Sequence, residues 1–347
     1  MGTRDYRGFN RWLIGLVVVS VVLIGLCNFV IDPYAVWSAP RIQGLNKLKP
    51  IGDTENRLRV ANEIQREKPT ALIFGTSTSK QLPPDRLEDL VGGTATNAGM
   101  VMASMSEIST YLELAAREHP DLDQVVLALD FLQFNQRSGV PSKTVEPFDR
   151  PIIVTDQGLA LLFSRAGIAA SVTTVRANVV PPAASGAIGR GEAFDKYFTE
   201  IVAGGNTYQP YELSETALDD LEQIVEFCRA RDIDLQILIS PMHVAHAEVF
   251  REAGLDDEYA KWLRRVVSVT PVWDFSGYNS ITTEPIEDTM TYYTDPLHYT
   301  TTTGSLMLER VFRHPEATSD FGTMVTDATV EQHLRATHAL RERKQPQ

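Results

Sequence analysis

Short apolar runs alternate along the chain with segments in which apolar residues recur every three or four positions. The runs TALIFG, DQVVLALDF and DLQILIS have the length and composition of buried parallel strands. The segment ETALDDLEQIVEFCRARDI places Leu218, Leu221, Ile224, Val225 and Cys228 on one stripe, which is the pattern of an amphipathic helix. This repeated alternation predicts an α/β fold in which helices cover both faces of a parallel sheet.

Weaker patterns extend the series in both directions. A helix with its N-cap at Thr54 is predicted in TENRLRVANEIQREK, and a short strand is predicted at Ala95–Asn97. Further helices are predicted in SMSEISTYLELAAREH, YAKWLRRVVS, TTTTGSLMLERVF and TVEQHLRATHALRERK, and a further strand in TPVWDF. Ligands of such sheets bind at the carboxyl ends of the strands, so the functional site is expected there.

The apolar run near the N-terminus differs from the others because it has no polar face. Residues 13–31 contain no charged side chain, and as a helix they would rise about 28 Å, enough to cross the core of a bilayer. Arg4, Arg7 and Arg11 precede the run, so the positive-inside rule favours a cytoplasmic N-terminus. We expect a single-pass anchor in a bacterial inner membrane with a periplasmic or extracellular main domain. A cleaved signal peptide and a buried core helix are the alternatives.

The patterns predict five successive parts of the chain. They are a cytoplasmic tail at 1–12, the anchor at 13–31, a lead-in segment with a helix at 32–70, the main domain at 71–313 and a C-terminal tail at 314–347. Residues 136–212 interrupt the alternation as an insertion that could form a lid or a substrate wall. Within it, TDQGLALLFSRAGIAASVTTVRAN is predicted to be helical and VVPPAASGAIGRGEAF to be a mobile loop. The loop's glycines do not match GxGxxG, so no nucleotide site is predicted.

Composition narrows the classes of function. The 347 residues are 43% hydrophobic, which suffices for a core, and 32 basic residues against 45 acidic ones give a formal net charge of −13. An acidic chain is a poor partner for nucleic acid, whose phosphates require a basic surface. Cys27 and Cys228 have no metal-binding spacing, and we expect neither a metal nor an organic cofactor.

Two segments at predicted strand ends carry candidate catalytic groups. FGTSTSK places Ser77 just after a strand, where a hydroxyl in a turn can act as a nucleophile. The alternative is that its hydroxyl groups only cap the next helix. YYTDPLHYTTTTG places Asp295 three residues before His298, so the carboxylate can hold one ring nitrogen while the other takes a proton from a hydroxyl. The alternative is a helix-capping Asp295 beside a surface histidine.

Other polar residues at predicted strand ends are candidates for oxyanion or substrate contacts. Asn97 and Gly99 follow the second strand, and small residues there let a backbone N–H approach a bound oxygen. Asp130 and Asn135 follow the third strand in ALDFLQFN, and His243 follows the fourth in SPMH. A second histidine stands three residues beyond His243, but no carboxylate or cysteine nearby completes a metal site. We therefore expect His243 to line the cleft.

The order of GxS at Ser77, NxG at Gly99 and DxLHYT at His298 resembles the SGNH (GDSL-like) hydrolase superfamily over about residues 71–313. The resemblance implies a three-layer α/β/α flavodoxin-like fold, with Ser77 as the nucleophile and Asp295 and His298 as its partners. The superfamily's third block, GxND, is absent. Asp130 stands in its place, and Asn135 is a candidate for the missing side-chain donor. This departure concerns the oxyanion hole and not the three catalytic residues.

Within that superfamily the chain looks most like a membrane-anchored group around the alginate O-acetylation proteins and the D-alanyl-transfer protein of teichoic acids. This similarity implies acyl-ester transfer or hydrolysis on a cell-envelope or exported polysaccharide. The implied partners are an acyl donor, a glycan acceptor and a membrane-bound O-acyltransferase. Transfer is favoured over hydrolysis because an anchor keeps the domain near a lipid-borne donor. The alternative is a catalytically inactive scaffold that binds glycan or partner proteins, whereas paired-carboxylate glycosidase chemistry has little support.

Overall fold

The structure is a computed structural model that describes residues 6–54, 57–137, 156–179, 189–202, 210–313 and 320–344. The chain divides into an N-terminal unit, Met1–Asn62 with Phe148–Ser185, and a sheet unit, Glu63–Pro147 with Gly186–Gln347. The helices are α1 (Arg7–Ile31), α2 (Pro50–Thr54), α3 (Arg57–Glu67), α4 (Pro84–Val91), α5 (Met105–Glu118), α6 (Asp156–Phe163), α7 (Arg165–Val179), α8 (Arg190–Lys196), α9 (Glu215–Arg229), α10 (Val244–Glu252), α11 (Asp256–Val269), α12 (Thr301–Arg313) and α13 (Val330–Lys344). The strands are β1 (Ala71–Gly75), β2 (Ala95–Asn97), β3 (Gln124–Leu129), β4 (Asp234–Ile239), β5 (Val272–Asp274) and β6 (Thr323–Val325).

The strands of the sheet unit form one sheet in the order β2-β1-β3-β4-β5-β6. Neighbouring strands are parallel except for β5 and β6, which are antiparallel with Trp273 opposite Met324. The order 2-1-3-4-5 is that of flavodoxin-like doubly wound sheets. Every residue of β1 and β3 is buried, as expected for central strands covered on both faces. The predicted α/β fold with a parallel sheet is confirmed.

Helices cover the sheet in two layers. Ile73 and Val126 belong to a core cluster with Leu87 of α4 and Met307 of α12, and these two helices pack together. Alternate strand residues such as Leu72 point to the opposite face, where α5, α9 and α11 pack in succession. The carboxyl ends of β1, β3 and β4 therefore lie together at one edge of a three-layer α/β/α unit.

Side-chain caps define where two of these helices begin. The hydroxyl of Ser104 accepts the N–H of Glu107 at the start of α5, and the Glu107 carboxylate accepts the N–H of Ser104 in return. The hydroxyl of Ser214 likewise accepts the N–H of Ala217 at the start of α9. These bonds satisfy backbone donors that the first helical turn leaves without partners.

Among the described residues of the N-terminal unit, one helix is long and apolar enough to cross a membrane. Helix α1 has 25 residues, which corresponds to about 37 Å, and most of its side chains are exposed. Just beyond it, the buried carboxylate of Asp32 accepts the N–H groups of Val36 and Trp37 and lies 3.5 Å from the Lys49 ammonium. The lead-in segment is therefore ordered around a buried ion pair.

Three predictions of local structure require correction. Thr54 is the last residue of α2 and was expected to cap the next helix. The segment predicted as a mobile loop ends in a helix, because α8 begins at Arg190, while residues 180–188 lie outside the described part of the chain. The predicted C-terminal tail contributes β6 to the sheet, a strand of three residues and so too short for a recognisable pattern. Residues 138–155 and 203–209 of the insertion at 136–212 also lie outside the described residues.

Candidate active site

Ser77 lies in the first turn after β1, at the carboxyl edge of the sheet. Gly75, the last residue of β1, has a φ of +150°, and a Cβ there would approach the Ala128 carbonyl oxygen to 2.6 Å and the Ser79 hydroxyl to 2.9 Å. Glycine therefore allows the chain to turn closely against β3. The turn continues as one turn of 3-10 helix, Thr78–Gln81, and Ser77 is partly exposed between buried neighbours.

Asp295 organises the turn that presents His298. One oxygen of its carboxylate accepts the N–H of Leu297 at 2.9 Å and the N–H of His298 at 2.8 Å. On either side of the turn, Tyr293 and Tyr299 form an isolated antiparallel bridge. A carboxylate that holds two successive N–H groups fixes the backbone from which the imidazole projects. The spacing of three residues is thus explained by local turn geometry.

The structure brings Ser77, His298 and Asp295 together in a line. The Ser77 hydroxyl lies 2.9 Å from Nε2 of His298, across 221 residues of sequence. On the other side of the ring, Nδ1 of His298 lies 2.8 Å from an oxygen of Asp295. The ionised carboxylate accepts from Nδ1–H, which leaves Nε2 to accept from the hydroxyl. This is the geometry of a nucleophile, its general base and the group that orients the base.

The charges of this pair favour an ionised Asp295 beside a basic His298. Burial alone would lower the pKa of His298, but the hydrogen bond and the negative charge of Asp295 outweigh burial and raise that pKa above its ordinary value. Burial would raise the pKa of Asp295, but the hydrogen bonds and the charge of His298 outweigh it and lower that pKa. His298 is therefore able to take up a proton, and Asp295 remains the anion that stabilises the resulting imidazolium.

Asp130 lies at the end of β3, beside the serine turn. Its carboxylate accepts hydrogen bonds from the Thr76 hydroxyl and, at 2.9 Å, from the Thr78 hydroxyl. The Thr78 hydroxyl also lies 3.2 Å from that of Ser240, which follows β4. Burial raises the pKa of Asp130, and its charge interacts favourably with His298. Asp130 thus supports the turn and adds negative potential to the site.

Asn97 and Gly99 lie in the loop after β2, alongside the serine turn. The Asn97 amide donates to the carbonyl oxygens of Ser79 and Leu82, at 2.8 and 2.7 Å. Its side-chain oxygen accepts the Gly99 N–H at 2.9 Å. An added Cβ at Gly99 would lie 2.3 Å from the Ser79 hydroxyl, so only glycine fits there. The predicted oxyanion donor at Gly99 is therefore engaged by Asn97, and both residues brace the serine turn.

Asn135 and His243 have contacts that stabilise loops. The side-chain oxygen of Asn135 accepts the N–H groups of Arg137 and Glu212, both at 3.1 Å. His243 is buried and was expected to line the cleft. Its Nε2 lies 2.8 Å from the Glu284 carbonyl oxygen, and its backbone N–H donates to the Pro296 carbonyl at 3.0 Å. His243 therefore lies behind the turn that carries His298 and supports that turn.

Several supporting residues were not recognised in the sequence. The alternative interpretation treated the hydroxyl groups of Thr76 and Thr78 as helix caps, and Ser240 was not identified as a candidate, because nothing local relates these residues to Asp130. His246 is fully buried with Nε2 3.3 Å from the Tyr197 hydroxyl, and burial lowers its pKa to about 4. A neutral histidine of this kind packs behind the site without adding a charge.

Gly304 lies where the helix after His298 contacts the segment after Ser77. It lies in the first turn of α12, and a Cβ there would come within 2.2 Å of the Gln81 carbonyl oxygen at the end of the serine turn. The absence of a side chain thus lets the helix after His298 pack directly against the segment after Ser77.

The described residues contain no group of three or more His, Cys, Asp or Glu side chains that could hold a metal ion. The closest sequence candidates, His243 and His246, are both buried, and their ring nitrogens contact Glu284 and Tyr197. The polar groups gathered at this edge of the sheet suit proton transfer and nucleophilic attack.

No protein-family model matches the chain, and no curated protein sequence matches it. Among solved structures, one described as "a putative platelet activating factor from Streptococcus pneumonia" is 12% identical to the chain, with a TM-score of 0.37. The alignment covers 75% of this chain and 92% of that one. At this level of similarity it assigns no activity, ligand or partner to the protein.

Proposed function

We propose that the protein is a serine-dependent enzyme that transfers or hydrolyses acyl esters. One observation carries the proposal: a partly exposed Ser77 hydroxyl lies 2.9 Å from Nε2 of His298, whose Nδ1 lies 2.8 Å from the Asp295 carboxylate. A serine that only caps a helix needs no imidazole at hydrogen-bond distance. A surface histidine likewise needs no carboxylate that contacts both its ring and its backbone N–H.

The reaction follows from this line of three residues. The Ser77 oxygen attacks the ester carbonyl carbon while its proton passes to Nε2 of His298, and Asp295 stabilises the imidazolium. The tetrahedral intermediate then expels the alcohol, which takes the proton from Nε2, and the acyl group remains on Ser77. A second hydroxyl, from water or a sugar, gives its proton to His298 and attacks the acyl-serine. The bond from the acyl carbon to the Ser77 oxygen then breaks, His298 returns the proton from Nε2 to that oxygen, and the new ester or the free acid is released.

The blocks around Ser77, Gly99 and His298 support membership of the SGNH hydrolase superfamily, in its membrane-anchored group. On this proposal α1 is an anchor, the N-terminus is cytoplasmic and the sheet unit is periplasmic or extracellular. The acceptor is a cell-envelope or exported polysaccharide. The acyl donor is delivered at the membrane, with a membrane-bound O-acyltransferase as the partner. We favour transfer over hydrolysis because an anchor of this kind keeps the catalytic residues close to a donor in the bilayer.

Labelling with a fluorophosphonate probe tests the nucleophile without knowledge of the substrate. The wild-type protein should label, Ser77→Ala should not, and Ser305→Ala is a matched control because Ser305 lies on the exposed side of α12. His298→Ala should lose nearly all labelling as well, and Ser77→Ala/His298→Ala should turn over esters hardly less than either single variant, since the residues act as a unit. Additive losses in log rate would contradict a shared mechanism.

A second candidate, an inactive scaffold for glycans or partner proteins, is favoured by the surroundings of Ser77. The Gly99 N–H already donates to Asn97, and a carboxylate, Asp130, stands where the superfamily carries an amide donor. A folded wild-type protein that fails to label would support the scaffold.

To separate transfer from hydrolysis, the enzyme is given an activated ester with and without envelope oligosaccharides. Release to water alone with every acceptor would replace transfer by hydrolysis.

A further inference from the structure

Helices α6 and α7 form a hairpin that packs on the C-terminal part of α1, within the N-terminal unit. The amide of Asn28 donates to the Leu162 carbonyl oxygen at 2.7 Å, and its side-chain oxygen accepts the Ser171 hydroxyl at 2.7 Å. A Cβ at Gly25 would lie 2.4 Å from the ring of Phe163, so the ring sits directly on the backbone of α1. The hairpin therefore packs closely on α1 through specific side-chain contacts.

Asn28 lies inside the uncharged run from 13 to 31, which is the part of α1 proposed to cross the membrane. An asparagine amide in hydrocarbon is costly unless its donors and acceptor have partners. In this unit both ends of the buried Asn28 amide are bonded to the hairpin. The partners of a polar group at membrane depth must themselves reach that depth.

The outer face of the hairpin is apolar and exposed. On that face Leu159, Ile168 and Val172 are between 39% and 61% exposed. No charged residue occurs at 157–164 or at 166–175. A surface helix in water carries polar residues on its outer face, so this pattern indicates an apolar environment.

Basic side chains flank that apolar face. Arg41, Lys47, Arg165 and Arg176 are exposed, whereas the chain as a whole has a net charge of −13. The carboxylate of Asp32 is buried and paired with Lys49. Exposed basic side chains beside an apolar surface complement the phosphates of an anionic lipid surface.

We infer that α6 and α7 are a second membrane element, a hairpin that enters one leaflet beside the C-terminal end of α1 without crossing the bilayer. The inference rests on the membrane anchor proposed above. The hairpin tip lies level with Gly25 and Asn28, about 5 to 9 Å before the end of α1. Leu159, Ile168 and Val172 contact acyl chains, and Arg165 and Arg176 extend to lipid phosphates along their aliphatic stems.

The test uses the full-length protein in vesicles of phosphatidylcholine and phosphatidylglycerol, with the native cysteines replaced as Cys27→Ser and Cys228→Ala. Single cysteines are introduced as Ile168→Cys and Val172→Cys on the hairpin and spin-labelled. Power saturation then compares collisions with oxygen, which concentrates in lipid, and with a nickel chelate, which stays in water. The matched controls are Leu26→Cys on α1 and Met324→Cys on the sheet unit, both exposed positions.

We expect the ratio of oxygen to nickel accessibility at 168 and 172 to exceed that at 324 several-fold and to approach that at 26. Water-like values at 168 and 172 beside a lipid-like value at 26 would overturn the hairpin and leave the anchor intact. A water-like value at 26 would overturn the anchor and the hairpin together. Labels at 168 and 172 that neither reagent reaches would also overturn the inference, because a protein surface would then cover the hairpin.

Discussion

Replacing Asp295 with asparagine should slow Ser77 labelling and move its pH dependence to lower pH. The Asp295 carboxylate lies 2.8 Å from Nδ1 of His298. It also accepts a hydrogen bond from the backbone N–H of His298 at 2.8 Å. A hydrogen bond to a charged group contributes about 1.5–3 kcal/mol, and about 1.4 kcal/mol corresponds to a factor of ten in rate. Loss of the imidazolium contact alone should therefore slow labelling about 10- to 150-fold.

The direction of the pH shift follows from the charge that is removed. Labelling requires neutral His298, so in the wild type its rate rises as the pH passes the raised pKa of that ring. In Asp295→Asn the burial that lowers the pKa persists, while the negative charge that raises it is gone. The acid limb, which is the range of pH over which the labelling rate rises, should therefore move to lower pH in Asp295→Asn. The maximum labelling rate should also be lower than in the wild type.

The assay is the second-order rate of fluorophosphonate labelling from pH 4 to pH 9, with far-UV circular dichroism as the check of folding. The control is His333→Gln, which removes a histidine that pairs with the Asp274 carboxylate at 2.7 Å in another part of the sheet unit. That variant should keep the wild-type acid limb. An acid limb that stays in place or rises in Asp295→Asn would refute the assignment of His298 as the base.

Three further outcomes are expected. Asp130→Asn should also move the acid limb to lower pH, but by less than Asp295→Asn, because Asp130 acts on His298 through its charge, while its carboxylate accepts hydrogen bonds from Thr76 and Thr78. Gly304→Ala should lower the free energy of unfolding by about 1–3 kcal/mol in urea titrations, because its Cβ would meet a carbonyl oxygen at 2.2 Å, whereas Ser305→Ala should change it by less than about 0.5 kcal/mol. A C-terminal reporter that is active only in the periplasm should be active, and activity of a cytoplasm-only reporter would contradict the topology.

The parts of the fold that follow from local pattern could be predicted from the sequence. The runs that form β1, β3 and the second half of β4 are apolar because central parallel strands are covered on both faces. Asp295 and His298 could be paired because one turn brings them together. The shared site with Ser77 needed the expectation that strand ends meet at one edge, since 221 residues separate the serine from its base.

The remaining features depend on contacts that no local pattern reveals. Thr76 and Thr78 bond to Asp130 across more than fifty residues, and threonines in a turn otherwise resemble helix caps. The same holds for the Gly99 N–H, which the sequence pattern presents as a free donor, whereas in the structure the side-chain oxygen of Asn97 accepts it. Helix α8 was missed because the glycines just before it favour a loop.

The central claim is that Ser77 carries the acyl group, and trapping of the acyl-enzyme tests it most directly. The full-length protein is mixed with an activated acyl ester, quenched with acid within seconds and digested for peptide mass spectrometry. We predict an acyl adduct on the peptide that contains Ser77, absent in Ser77→Ala and increased in a variant that deacylates slowly. Brisk turnover of the ester by Ser77→Ala, or an adduct on a different residue in the wild type, would contradict the account.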